Sequence, residues 1–260
     1  MTLLQPAWPA PPGVGAAMSL RDGGVSGGVS GGVSGGSYAS MNLGVAVGDS
    51  PAAVAANRVR FEAKLGARPV WLRQVHGANV LRLQLDDEHP DTPADAAWTS
   101  ELDVACTVQV ADCLPVLFAL RDGSAVAAAH AGWRGLAAGV LGATVNAMCR
   151  GMAAAPADVQ IWLGPCIGPR RFEVGADVLQ AFGQATDTID SRRFVFSPRP
   201  DGAPRWLANL QQLAIDRLTA AGVRAIYRAE ACTVEDDSRF FSFRRDGVTG
   251  RMAAAVWRRG

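Results

Sequence analysis

Three short apolar runs, Ala105 to Val110, Pro115 to Leu120 and Ala125 to Ala129, follow one another with only turn-length gaps between them. Runs of this length bounded by turn residues read as strands, and Arg121-Asp122-Gly123-Ser124 is a hairpin turn between the second and third. Further strands are expected at Pro69 to Val75 and Asn79 to Leu85, as a hairpin around His76-Gly77, and at Val159 to Leu163, Val223 to Arg228 and Met252 to Trp257. Helices are expected from Ser50-Pro51 to Leu65, with Ser50 as N-cap and Gly66 as stop. Others are expected over Gly135 to Met148 and Val174 to Phe182, and where Trp206, Leu207, Leu210, Leu213, Ala214 and Leu218 recur at helical spacing before Gly222. Strands and helices mix without regular βαβ alternation. The fold class is therefore α+β, a layered sandwich of mixed sheets flanked by helices, and not a doubly wound sheet.

The 260-residue chain is 49% hydrophobic and 19% charged, enough for a sizeable core. No linker interrupts it after residue 37, so one domain is expected over 1–260. Residues 1–22 form an N-terminal segment. Three tandem Gly-Gly-Val-Ser units at 23–34, followed by Gly35-Gly36-Ser37, are expected to make residues 23–37 a flexible loop. A net charge of +1 gives no electrostatic reason for nucleic acid or anionic membrane as partner. The most apolar stretch, Ala125 to Met148, contains His130, Arg134 and several Gly, and reads as a buried strand and helix, not a membrane span. Five cysteines without CxxC pairs fit reduced thiols. The N-terminus lacks the pattern of a signal peptide, so a cytoplasmic location is expected.

The chain has three histidines, and two of them lie in Gly-flanked motifs on either side of a Cys that follows an Asp. They are His76 in Arg73-Gln74-Val75-His76-Gly77, Cys113 in Ala111-Asp112-Cys113-Leu114-Pro115, and His130 in His130-Ala-Gly-Trp-Arg-Gly. His76, Cys113 and His130 make a soft-to-borderline donor set for which zinc is the first candidate and copper the second. Three protein ligands leave a fourth position open, the pattern of a catalytic site. The spacings are not those of a zinc finger, so tertiary structure must assemble the site. Asp112 is either a turn cap or a carboxylate that supports a ligand or moves a proton. Arg134, beside the start of a helix after His130, suggests an anion site. Near the C-terminus, Arg244, Arg245 and Arg251 among aromatics and Gly suggest an anion clamp or buried ion pairs, with Arg245 suited to a pair with Asp246. His89, in a solvated Asp-Asp-Glu-His-Pro loop, is given no role. The same residues also allow a metal-free reading, with Cys113 as nucleophile and His130 as base.

With these residues in view, the chain resembles the YfiH family, whose members were named laccase-domain or polyphenol oxidase proteins and are also described as purine nucleoside phosphorylases. The resemblance runs from about Gly32 to the C-terminus. It rests on Gly-Gly-Val-Ser-Gly with Ser37-Tyr38-Ala39-Ser40-Met41-Asn42-Leu43-Gly44, on Val47-Gly48-Asp49 and Asn57-Arg58, and on the three motifs above. Gly164-Pro165-Cys166-Ile167-Gly168, Cys232-Thr233, and Phe241-Ser242-Phe243-Arg244-Arg245 with Thr249-Gly250-Arg251 complete it. The tripled Gly-Gly-Val-Ser departs from the family's single copy. The resemblance implies zinc held by His76, Cys113 and His130, and a fold shared with Cys/His toxin deamidases. It also implies phosphorolysis of adenosine, inosine, guanosine and methylthioadenosine, with hydrolytic deamination of adenosine.

Purine nucleosides and phosphate are then the expected partners of a monomer or small homo-oligomer. Cys113, His130, Asp112 and Arg134 are the catalytic candidates, and Asn42, Gln74 and Arg244 the substrate and phosphate contacts. The zinc-deaminase signature His-x-Glu with Pro-Cys-x-x-Cys is absent, so any deamination uses another site design. The alternative activity is a Cys–His amidase acting on cell-wall peptide precursors. A multicopper oxidase is disfavoured, since a blue-copper centre alone takes two His and a Cys and three His cannot also supply a trinuclear cluster.

Overall fold

The structure is a computed structural model and describes residues 1–27, 36–86 and 92–260. Among these, strands are numbered β1 to β14 and helices α1 to α6 along the chain. A five-stranded sheet runs in the order β1 (Leu3–Leu4), β2 (Val14–Ser19), β14 (Met252–Arg258), β6 (Val104–Val110), β3 (Arg68–Trp71). A six-stranded sheet runs β13 (Ala225–Arg228), β9 (Val159–Leu163), β7 (Leu114–Leu120), β8 (Val126–Ala131), β5 (Ala96–Thr99), β4 (Val80–Arg82). A small third sheet joins β10 (Glu173–Val174), β12 (Trp206–Ala208) and β11 (Phe194–Phe196). The helices are α1 (Pro51–Leu65), α2 (Trp133–Ala137), α3 (Val140–Met152), α4 (Ala176–Ala181), α5 (Leu210–Ala220) and α6 (Phe243–Asp246). No helix of the described residues is long and apolar enough to cross a membrane.

Side-chain alternation along the strands defines the layers. Leu114, Val116, Phe118 and Leu120 of β7 pack with α3 and α5 residues in one core. Leu117 and Ala119 face the other way and pack with Val104, Cys106 and Val108 of β6 and with Ala254 of β14 in a second core. On the far side of the five-stranded sheet, Ala105, Ala253 and Ala255 meet Phe61 and Leu65 of α1 in a third. The order is therefore helix, sheet, sheet, helices. Strands buried on both faces are apolar at every position, which is why Leu114–Leu120 reads as a continuous run and not as an alternating one.

Several expectations are corrected. Pro69 to Leu85 is not a hairpin: β3 pairs in parallel with β6, and β4 in parallel with β5, so the chain crosses between sheets at His76. Trp206 and Leu207 belong to β12; the Asn209 side chain accepts from Gln212 N, and the helix begins at Leu210. The helix expected over Gly135 to Met148 is two helices, broken at Gly139, whose φ of +93° suits glycine. The N-terminal segment supplies β2, buried along its whole length between β1 and β14.

The Gly-Gly-Val-Ser expectation divides. Its first copy is tied down. Asn57 of α1, fully buried, donates to Ser26 Oγ and to the carbonyls of Ser40 and Asn42, and accepts from Val25 N. Residues 28–35 of the repeat, and His89, lie outside the described residues. Removing that amide takes a hydrogen bond from each of four partners, of which the Ser40 carbonyl keeps another from Ser26 N. Asn57→Ala is expected to destabilise the fold by about 2–3 kcal/mol, read as a lower midpoint in urea unfolding.

Candidate metal centre

The three candidate ligands converge from three separate segments of chain. His76 lies on the crossing between β3 and β4, Cys113 on the turn between β6 and β7, and His130 on β8. Their ligand atoms all lie within 4.8 Å of one another. Cys113 Sγ is 3.7 Å from His76 Nε2, and the two imidazoles meet edge to face at 4.7 Å between centroids. A tetrahedral ion with bonds of about 2.0–2.3 Å sets its ligands about 3.3–3.6 Å apart. The two-nitrogen, one-sulfur donor set fits one zinc or copper ion after rotamer-scale adjustment.

One buried carboxylate holds the His130 imidazole and the backbone that carries His76. Asp95, fully buried before β5, takes His130 Nδ1 at 2.8 Å, which leaves His130 Nε2 for the metal. The same carboxylate accepts the backbone N–H groups of Val75, His76 and Gly77 at 3.1, 2.9 and 2.7 Å. These bonds fix the crossing on which His76 adopts a φ of +60°. Burial pushes the Asp95 carboxyl up, but the bonds from His130, Gly77 and Val75 outweigh it and hold it below the usual carboxylate range.

Burial likewise pushes the Cys113 thiol up, yet the facing His130 and His76 more than offset this and hold it at about 6. Burial opposes the charge on His130, and Cys113 and Asp95 override it, raising the imidazole to about 9. Without metal, Cys113 and His130 thus form a thiolate–imidazolium pair, and metal binding must displace the His130 proton. The Gly residues after His130 make room. A Cβ on Gly132 would lie 2.6 Å from His76 Cδ2 and 3.0 Å from Cys113 Sγ, and one on Gly135 2.7 Å from the Gly77 carbonyl oxygen.

Two cavities flank the cluster and share His76, Ala111, Cys113 and Phe243 as their common wall. The larger, about 510 Å³, has mostly apolar walls from Val45, Val47, Leu72 and Val110, with Arg73, Gln109 and Arg251 as polar members. The smaller, about 270 Å³, contains Asp112, Trp133, Arg134 and Arg244.

The other expected residues take particular places. Asp112 is buried, and Thr233 Oγ1 and Arg244 N each donate to it at 2.6 Å, so both its oxygens are engaged in holding the Cys113 turn. Gln74 lines the larger cavity, but its amide pairs with the backbone N–H and C=O of Gln109, extending the contact of β3 with β6. Asn42 is fully buried and outside both cavities. It accepts from Gly44 N and Arg251 N and donates to Asp49, so it shapes the wall of the site from behind.

Arg134 is exposed over the Trp133 ring, 4.3 Å from its centroid. The anion site expected from a helix start loses its helix, because α2 has only five residues, and the Arg side chains remain. Arg244 donates to the Glu173 carbonyl at 3.1 Å and edges the smaller cavity. Arg245 pairs with Asp246 at 2.7 Å, as its sequence neighbourhood suggested. Asp95 escaped sequence reading, because an aspartate beside the apolar Ala96-Ala97-Trp98 carries no motif. Gln109 was hidden by a strand position whose facing only the fold shows, whereas Arg251, one of the three C-terminal arginines singled out above, lines the larger cavity.

Residues 18–259 match the family described as multi-copper polyphenol oxidoreductase laccase. The chain is 45% identical to the Escherichia coli protein named purine nucleoside phosphorylase YfiH, over 98% of both chains. It belongs to the YfiH family. It is also 47% identical to a protein of Pseudomonas aeruginosa named purine nucleoside phosphorylase, over 98% of this chain and 97% of that one. A crystal structure of a Neisseria meningitidis protein of family DUF152 superposes with a TM-score of 0.87 at 41% identity, covering both chains fully.

The neutral amide of Asp95→Asn cannot accept from all four donors, so this variant is expected to bind zinc about 10–100-fold more weakly, measured by chelator competition. In the metal-free protein, iodoacetamide is expected to alkylate Cys113 selectively down to about pH 6, where its thiolate is still half populated. Cys106 and Cys166, whose thiols burial pushes far up, should stay unmodified, and added zinc should protect Cys113. Peptide mapping across pH checks both statements.

Proposed function

We propose that this protein is a zinc-dependent purine nucleoside phosphorylase, acting on adenosine, inosine, guanosine and methylthioadenosine and also deaminating adenosine, in the cytoplasm. The observation that carries this reading is the position of the ligand cluster in the wall between an apolar cavity and a cavity edged by two arginines. Relatives that match nearly end to end are named purine nucleoside phosphorylases. Zinc, when bound, supplies a Lewis acid beside the reacting sugar or purine carbon.

The chain's own residues do the rest. The apolar walls of the larger cavity take the purine, and the Gln109 side chain and Arg251 offer polar contacts at its edge. Arg134 and Arg244 hold phosphate in the smaller cavity through charge-assisted hydrogen bonds. Base and phosphate then approach the ribose from opposite sides of the shared wall. That arrangement suits displacement at the anomeric carbon, with most of the rate coming from positioning. Asp112 and Gln74 serve by holding the Cys113 turn and the β3–β6 edge. Copper oxidase chemistry with several metals is not proposed, because the whole chain has three His.

One observation favours a second reading. Cys113, His130 and Asp95 form a thiolate, imidazolium and carboxylate in line, the arrangement of a Cys–His–Asp hydrolase. In that role the metal-free protein would cleave an amide of a peptide-like envelope precursor. A ligating thiolate is a poor free nucleophile, so metal content separates the two.

Incubation of the purified protein with adenosine, with and without phosphate, is expected to give adenine only when phosphate is present and inosine in both cases, read by chromatography. Cys113→Ala is expected to lose zinc and phosphorolysis together. Full phosphorolysis by zinc-free Cys113→Ala protein would overturn the zinc reading, and no turnover of any nucleoside would favour the hydrolase.

A further inference from the structure

A third cavity, about 420 Å³, has none of the three ligand candidates in its wall, and two cysteines line it. Cys166 and Cys232 are bridge partners on adjacent parallel segments, and Thr233 N donates to the Cys166 carbonyl at 3.0 Å. Directly paired residues on neighbouring strands point to the same face with backbones about 4.8 Å apart, inside the Cα range of about 4.4–6.8 Å that a disulfide spans.

The two thiols are unequal: Cys166 is buried and Cys232 is partly exposed. Gly168 closes over the exposed one, and its N–H donates to Cys232 Sγ at 3.2 Å. A Cβ on Gly168 would sit 3.1 Å from Cys232 Cβ, so a larger residue would crowd this contact. The cavity wall carries both charges, with Arg170 paired to Glu235 and Arg228 to Glu230, so it offers partners for the ammonium and carboxylate groups of a small zwitterionic peptide.

We propose that Cys166 and Cys232 are a reversible dithiol–disulfide pair, oxidised by a low-molecular-weight peptide disulfide that enters this cavity. The Cys232 thiolate attacks one sulfur of the peptide disulfide; the new S–S bond forms and one peptide thiolate leaves. Cys166, giving its proton to solvent, then attacks the Cys232 sulfur and expels the second peptide thiol. Two protein thiols lose two electrons, and the peptide disulfide gains them. Burial of Cys166 makes the second step the slower one.

The pair also reaches the metal centre. Ile167, next to Cys166, donates its N–H to the Asp112 carbonyl, and Thr233, next to Cys232, donates its hydroxyl to the Asp112 carboxylate. A bond between the cysteines ties together the two segments that grip the residue before Cys113. The oxidised protein should therefore exchange the Asp112 and Cys113 amide protons more slowly than the reduced protein.

The test uses the zinc-loaded full chain, so that Cys113 is protected, titrated with oxidised against reduced glutathione and digested without reductant. A peptide pair joined through Cys166 and Cys232 is expected as the main disulfide. Cys166→Ala is expected to accumulate glutathione on Cys232, whereas Cys232→Ser stays unmodified at Cys166. Absence of the joined peptide in the wild-type protein, or glutathione persisting on its Cys232, would overturn the pair. A joined peptide with unchanged exchange at Asp112 and Cys113 would overturn its link to the metal centre. None of these readouts depends on nucleoside turnover.

Discussion

The Asp95 carboxylate is the constraint on which the rest of the centre depends. It sits between the two sheets with no exposure, where an unpaired carboxylate would be prohibitive. Four donors offset that cost, and they come from two separate pieces of chain: the β3–β4 crossing and the end of β8. One negative charge thus ties a crossing between layers to a strand end and orients the His130 imidazole beside His76. The crossing has no hairpin partner, so Asp95 is what orders its three N–H groups. Folding and site assembly are here the same event.

The layer order explains why the site stands where it does. β6 and β7 belong to different sheets, yet they are consecutive, joined by the turn that carries Asp112 and Cys113. β8 returns beside β7 and brings His130 level with that turn. A Cys between two sheets and a His at a strand end can meet only if the chain after the His leaves without filling the gap. Gly132 and Gly135 permit that exit, since a methyl group at either would collide with His76, Cys113 or Gly77. The Gly-x-x-Gly spacing after His130 is therefore a packing requirement of the metal centre.

Much of this was legible in the sequence, and the rest was illegible for identifiable reasons. The capped helix from Ser50 to Gly66 and the central strands announced themselves through local chemistry, and the clustered residues through two Gly-flanked His motifs and a Cys that follows an Asp. The hairpin around His76 misled because local pattern shows two strands and a turn but not which sheet each strand joins; β3 and β4 both take parallel partners distant in sequence. Trp206 and Leu207 fit a helical spacing by chance of two residues, and the Asn209 cap decided against it. β2, made of Gly, Ala, Met and Ser with one Val, has little intrinsic strand preference and is held by β14. The side chains of Asn42 and Gln74 are engaged within the protein, Gln74 with the backbone of Gln109 and Asn42 with backbone groups and Asp49, partners that the sequence does not display.

The electrostatics of the cluster bear on what the residues can be. A thiolate held at about 6 and an imidazole raised to about 9 stabilise each other in the metal-free state. The same preorganisation serves metal binding, because the Cys113 thiol is held at about 6 and is a thiolate at neutral pH, while His130 must give up its proton to ligate. It equally makes the free thiolate a nucleophile with an oriented acid beside it. The geometry does not choose between these roles by moving any residue. Occupancy chooses: an ion removes the charge pair that activates the thiol, and its loss restores it. A cluster built this way could hold a metal and, without one, sets a thiolate beside an imidazolium that Asp95 orients.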